Sequence, residues 1–123
     1  MSKHPARGRS RAHESADAAQ AAGYRHERLT RILREEIAAV VRDEIADPRL
    51  DGVAITLVEL SVDYKNARVG FVGPGGAATL RADRERLERA LARATPFLRR
   101  RLADALDLKA VPALRFVWDV YAG

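Results

Sequence analysis

Five arginines crowd around one proline in this chain. Arg89 and Arg93 precede the tripeptide Ala94-Thr95-Pro96, and Arg99, Arg100 and Arg101 follow it. A guanidinium presents a planar fork of donors that matches a phosphate or a carboxylate in bidentate fashion. No Asp or Glu falls between Arg89 and Arg101. From Arg81 to Lys109 the chain holds nine cations, Arg84 and Arg86 among them, against the five anions Asp83, Glu85, Glu88, Asp104 and Asp107. A cationic run with an anion-free centre concentrates positive potential, and phosphate contacts there would give salt-dependent affinity. The outer turns read as a plain solvated helix face, because Glu85–Arg89 and Arg100–Asp104 have the i,i+4 spacing of surface pairs. Arg93, Arg100 and Arg101 are expected to flank the break and share one phosphate track. Arg99 also suits a structural anchor to the sheet or to a helix-end carbonyl.

Catalytic chemistry finds no comparable pattern. His4, His13 and His26 lie in or beside the N-terminal region, away from any expected pocket. There is no cysteine, which excludes disulfides, thiolate metal sites and a cysteine nucleophile. No His/Asp/Glu set has ligand-like spacing, and no Ser or Thr sits in a nucleophile elbow. Asp63 and Asp119 could meet at strand ends, but two carboxylates are usually surface groups. Gly73-Pro74-Gly75-Gly76 lacks both the GxGxxG spacing and a following Lys-Ser/Thr, so it reads as a connector. The expectation is a binding protein without enzyme activity, metal or cofactor.

The elements that must position the arginines follow from periodicity. Leu29, Ile32, Leu33, Ile37, Val40, Val41 and Ile45 recur at helical spacing and predict a helix over 25–46. Asp47-Pro48-Arg49 stops it and Asp51-Gly52 turns the chain. Alternation over 53–62, a turn at Asp63-Tyr64-Lys65-Asn66, and a return over 67–72 predict an antiparallel hairpin. A helix is expected over 80–94. Proline inside a helix removes a hydrogen bond and clashes with the preceding turn. Thr95 is a good N-cap and proline suits the first turn, so a second helix is expected from Pro96 to about Leu106. Leu114, Phe116 and Trp118 alternate with Arg115, Val117 and Asp119 in a last strand, and Trp118 reads as core rather than as a base-stacking platform. The fold class is α+β, order αββααβ, a three-stranded sheet with helices on one face and a kinked helix pair.

Composition sets the outer bounds. Twenty-two Lys and Arg oppose seventeen Asp and Glu in 123 residues, a net charge of +5 that favours a polyanionic partner. Nineteen of the cations are arginine, a bias that abundant Ala and Arg in the whole chain largely explains. Residues 1–23 contain no large aliphatic after Met1 and are expected to be a disordered basic tail. Residues 24–121 make one domain. No apolar run is long enough to cross a membrane and the basic N-terminus lacks the apolar core of a secretory signal, so a cytoplasmic location is expected.

Four phrases carry a resemblance. They are RDEIADPRL at Arg42–Leu50, Val62-Asp63-Tyr64 with Asn66-Ala67-Arg68-Val69, Phe97-Leu98-Arg99, and Val111-Pro112-Ala113-Leu114-Arg115-Phe116. In order and spacing, over residues 25–120, they resemble bacterial ribosome-binding factor A. The element order is likewise that of the type II KH fold. The resemblance implies a non-enzymatic assembly factor that binds immature 30S particles and 16S rRNA, assists late maturation of the 16S rRNA 5′ end, and is linked to growth in the cold. It implies an RNA-binding face at an Ala-x-Gly kink that replaces the usual Gly-x-x-Gly loop. Ala94 and Thr95 match its first two positions. Pro96 stands where the family has glycine and brings a ring without an N–H.

The resulting RNA-binding candidates are Arg89, Arg93, Ala94, Thr95, Pro96, Arg99, Arg100 and Arg101. Arg28, Arg31, Arg34 and Lys65 are secondary candidates. The expected partners are the 30S subunit and 16S rRNA, with no membrane and a monomeric free state. The alternative class is a protein–protein interaction module that docks a ribosomal or other protein without touching RNA.

Overall fold

A computed structural model describes residues 3–76 and 79–121. Its elements are α1 (Lys3–Asp43), a 3-10 turn (Pro48–Leu50), β1 (Ala54–Leu60), β2 (Asn66–Val72), α2 (Arg81–Leu106) and β3 (Ala113–Trp118). The α+β class and the three-stranded sheet are as expected, with two helices in place of three.

In α1 the predicted stripe faces the sheet, and Leu33, Ile37 and Val40 are wholly buried. The helix ends where the N–H groups of Glu44 and Ile45 both reach back to the Val40 carbonyl, at 2.9 and 3.2 Å. Asp47 then caps the 3-10 turn, its Oδ1 accepting from the Arg49 N–H at 3.0 Å with Pro48 at the first position. The Arg49 side chain also donates to that carboxylate and holds its pKa below the ordinary aspartate value. Gly52 completes the reversal at φ +82°, and a Cβ there would lie 2.8 Å from Pro74 Cγ.

Helix α1 begins far earlier than Tyr24. From Lys3 onward the region expected to be a disordered tail over residues 1–23 is described as helix continuous with the packed part of α1; Met1 and Ser2 lie outside the described residues. The alanine-rich run Ala18–Ala22 has high helix propensity and supports the turns just before Gly23. What changes near Tyr24 is packing. Residues 17–25 are all exposed, and His26 is the first to be half-buried.

The strands pair in the order β1-β2-β3, β1 antiparallel to β2 and β2 parallel to β3. Val58, Leu60, Ala67, Val69 and Phe71 turn one face of the sheet toward both helices, with Leu114, Phe116 and Trp118 packed against that core. Phe71 and Trp118 meet edge to face at 5.6 Å, so Trp118 is a core contributor. A bulge at Thr56 lets Ile55 oppose Phe71 while Leu57 opposes Gly70. The bare Gly70 leaves room for Leu57, whose Cγ would lie 2.8 Å from a Cβ there. The Thr56 hydroxyl donates to Asp119 Oδ2 at 2.6 Å. Asp119 is therefore far from Asp63: its N–H bonds Phe71 at one end of β2, whereas Asp63 binds the Lys65 N–H in the hairpin turn at the other. The suspected carboxylate pair does not form.

Helix α2 corrects the expected break. It is continuous from Arg81 to Leu106 with Pro96 in its interior. Thr95 is not an N-cap; its hydroxyl donates back to the Leu91 carbonyl at 2.9 Å, one turn earlier. The helix continues because its burial continues. Leu87, Ala90 and Leu91 before the proline, and Leu98 and Leu102 after it, are buried in one phase against the core. Tertiary packing of an apolar stripe outweighs a local defect. Ala92, whose carbonyl loses its usual donor at Pro96, is exposed and open to water.

Two measurements follow. Thr95→Ala should change stability by less than about 0.5 kcal/mol, since a back-bonded hydroxyl supports a helix little, whereas a lost N-cap would cost about 1 kcal/mol. Pro96→Ala should raise stability by about 1–3 kcal/mol by restoring the interior hydrogen bond, and denaturant titration of both variants reads this directly. Separately, amides of residues 17–23 should exchange with solvent far faster than those of residues 33–41, because an exposed helical extension has only its own marginal stability. Equal protection in the two segments would show that the extension is held by something besides its own hydrogen bonds.

Candidate nucleic-acid interface

Parallel pairing to β2 leaves β3 at one edge of the sheet, with α2 alongside it. Between them runs a groove in two connected stretches that share Thr95. The first, of about 560 Å3, lies among Glu85, Glu88, Arg89, Ala92, Leu114, Arg115 and Phe116. The second, of about 530 Å3, lies among Pro96, Arg99, Arg100, Ala103, Lys109, Ala110 and Val111. The N–H groups of Ala113 and Asp119 point at β2. By alternation the backbone groups of Leu114 and Phe116 face outward along this open edge. The groove is therefore lined by cations on one wall and by unpaired strand backbone on the other.

The cations of α2 divide sharply by what holds them. Arg81 pairs with Glu85 at 3.5 Å, and Arg86 with Asp83 at 3.1 Å. Arg84 donates to the Thr79 carbonyl at 3.1 Å and lies 5.0 Å over the Trp118 ring, a cation–π contact. Arg99 donates to the Val111 carbonyl at 2.9 Å, the structural anchoring that its position allowed, although its side chain still lines the groove. Arg101 turns the other way and pairs with Glu44 at 2.7 Å, tying α2 to the end of α1. Its Nε is buried without a partner among the described residues. Arg89, Arg93, Arg100 and Lys109 are exposed, and none makes a hydrogen bond or ion pair among the described residues. The expected Glu85–Arg89 and Arg100–Asp104 pairs are absent among the described residues.

Helical geometry decides which of these act together. Arg93 and Arg100 are seven residues apart, nearly two turns, so they lie on one stripe, and Arg89 lies within about 40° of it at 100° per residue. Arg101, one residue beyond Arg100, is turned toward α1. Arg93 lines neither stretch of the groove; it lies close enough to Asp47 to contribute to its lowered pKa. Ala94 is half-buried against the core and Thr95 spends its proton on Leu91, so neither presents a donor to a ligand. Pro96 lines the groove as a bare ring. Positive charge is concentrated at the Pro96–Lys109 end, while Glu85 and Glu88 lie at the other.

Lys109 and Arg115 are the groove residues that the sequence reading passed over. Lys109 was counted among the cations of the region but lies in the loop after α2, and Arg115 lay on the outward side of an alternating strand. The missing information was that β3 is an edge strand beside α2.

The secondary candidates separate as well. Arg28, Arg31 and Arg34 come together with Val58, Glu59 and Leu60 in another groove, at the opposite edge of the sheet. Lys65 lies outside that lining, in the exposed hairpin turn. His26, which no pocket was expected to include, lines it and donates to the Leu60 carbonyl at 2.9 Å.

Comparison with known proteins accords with this architecture. The family model described as ribosome-binding factor A matches residues 25–122. A ribosome-binding factor A of Dechloromonas aromatica is 38% identical over 96 residues, covering 77% of this chain and 73% of its own. The crystal structure of ribosome-binding factor A from Thermus thermophilus superposes with a TM-score of 0.66 at 23% identity, over 80% of this chain and 99% of that one, a likeness of fold. A homology model of the Thermus thermophilus factor, fitted into a cryo-EM map of its complex with the 30S subunit, matches at 25% identity and a TM-score of 0.61, over 77% and 97% of the two chains. With the matched region spanning the packed part of the chain from Arg25 through β3, this chain belongs to the ribosome-binding factor A family.

Proposed function

We propose that this protein is a non-catalytic assembly factor that binds immature 30S particles in the cytoplasm, is monomeric when free, and holds a strand of 16S rRNA in the groove between α2 and β3. The observation that carries this is the division among the α2 cations. Five are tied to partners, while Arg89 and Arg100, with Lys109 in the loop that follows, line one groove without a hydrogen bond or ion pair among the described residues, and Arg93, on the same helical stripe, lies nearer Asp47. Family membership, and the relative fitted into a 30S complex, support the identity of the polyanion. Late maturation of the 16S rRNA 5′ end is the step that fits a factor of this family. No helix among the described residues is long and apolar enough to cross a membrane.

A continuous α2 changes how RNA would be held. A Gly-rich loop can offer free backbone N–H groups to a phosphate. Here the N–H groups around Thr95 lie within a helix, and Pro96 has none. The phosphates are therefore held by guanidinium and ammonium groups, and the outward backbone of β3 offers donors and acceptors to bases.

Replacing Arg89, Arg93 and Arg100 together by Ala should leave the fold intact and weaken binding to immature 30S particles. On single-stranded 16S rRNA fragments, the slope of log K against log salt should fall by about two for the loss of three phosphate contacts. Arg101→Ala should instead lower stability by about 0.5–1 kcal/mol, as for a half-exposed ion pair, with the salt slope unchanged. Wild-type binding and slope in the triple variant would move the contact away from α2. Salt-insensitive 30S binding without affinity for rRNA fragments would favour the protein-docking module.

A further inference from the structure

The edge of the sheet opposite β3 carries its own basic channel. Between α1 and β1 lies a groove of about 890 Å3, walled by Arg28, Arg31 and Arg34 on the helix and by Val58 and Leu60 on the strand. The three arginines are exposed, and none forms a hydrogen bond or ion pair among the described residues. Spaced three residues apart, they spread over about 9 Å of helix axis. Glu27 and Glu59 also line the groove, but Glu59 is paired with Arg68 at 2.6 Å. One unpaired carboxylate thus opposes three guanidiniums. Aromatic side chains stand at the same end. Tyr24 lines the groove at 67% exposure, and Tyr64 packs against the edge of His26 with ring centroids 5.3 Å apart while staying 39% exposed.

An open strand edge beside cations could take an extended acidic peptide or a nucleic acid strand, and the edge itself discriminates. The Ser61 N–H faces β2, so Leu60 and Val58 turn their backbone groups outward. His26 already occupies the Leu60 carbonyl, and the bulge at Thr56 interrupts the other end. Too few free groups remain in register for strand addition. Phosphate-binding guanidiniums beside exposed aromatic faces are instead the combination that holds single-stranded RNA, by charge along the backbone and stacking under the bases.

We propose that this groove is a second single-stranded RNA site, with Arg28, Arg31 and Arg34 on the phosphates and Tyr24 and Tyr64 stacking on bases. The domain then holds two RNA segments, one at each edge of its sheet. This rests on the reading that the ligand is RNA and that the α2 groove is the first site.

The test is fluorescence anisotropy and binding stoichiometry with a short fluorescein-labelled RNA oligonucleotide of mixed sequence, on the full chain. Wild type should bind two oligonucleotides. Arg28→Ala/Arg31→Ala/Arg34→Ala should bind one, as should the Arg89/Arg93/Arg100 variant, and the six-fold variant none. Tyr24→Ala should weaken one of the two sites by roughly five-fold or more, and Tyr24→Phe should retain it, because the ring and not the hydroxyl stacks. Tyr24 is exposed, so this variant tests the site even if the triple variant unfolds. A wild-type stoichiometry of one, abolished by the α2 substitutions alone, would overturn the second site and leave the proposed function standing. No binding of RNA by wild type would overturn both. Displacement of RNA from the α2 variant by a polyglutamate peptide, beyond the effect of matched ionic strength, would give the groove to an acidic protein segment instead.

Discussion

The parallel pairing of β2 with β3 governs this molecule. Two parallel strands cannot be joined by a tight turn, so the chain must cross over one face of the sheet before β3 can start. Helix α2 is that crossover, and its length follows from the need to return along the sheet. The same pairing puts β2 in the centre and leaves β1 and β3 as free edges, each with a helix beside it. Both grooves are consequences. An antiparallel third strand would have needed no crossover helix, and the arginines of α2 would have had no strand edge to face.

Within α2, burial sorts the charges. Leu87, Leu91, Leu98 and Leu102 fix the rotation of the helix against the core, and that rotation fixes every other residue on it. Three consecutive arginines cannot share a role under this constraint. Arg99 is carried to the carbonyl of Val111, Arg100 to the exposed stripe, and Arg101 to Glu44 just beyond the end of α1. A run that looks uniform in sequence is divided into a brace to the β3 approach, a free cation and a brace to α1.

The helical stripe of α1, the hairpin and the last strand were legible because each buries a face with its own period. The extension of α1 before Tyr24 was not, because residues 1–23 hold no large aliphatic after Met1 and so carry no apolar stripe with a period to read. The Thr95-Pro96 pair misled for a different reason. Thr-Pro is a good helix start and also a tolerated interior step when the threonine back-bonds. Local chemistry does not choose between these; the phase of Leu91 and Leu98 across the step does. The charge excess around Pro96 was legible, with Arg89, Arg93 and Arg100 among its candidates, whereas the pairing of Arg101 and the place of Lys109 were not. Choosing Lys109 over Arg101 required knowing that Glu44 lies beside α2 and that β3 is an edge. His26 was set aside because it neighbours a charge-rich, weakly patterned stretch, and its partners at Leu60 and Ser61 are more than thirty residues away in sequence.

The continuous α2 also bears on where selectivity would come from in the proposed reading. Phosphate contacts set register and orientation but carry no base identity. In that reading Arg89, Arg100 and Lys109 would make such contacts, and on flexible stems they tolerate many backbone paths. Reading bases needs fixed donors and acceptors, and α2 has few to give: Thr95 is bonded to Leu91 and Pro96 has no N–H. The fixed groups are the outward backbone positions of β3, held in register by their parallel pairing to β2. In the proposed reading, affinity and discrimination would therefore lie on opposite walls of one groove. A change in the arginines would move affinity and its salt dependence, whereas a shift in β3 would change which bases are accepted.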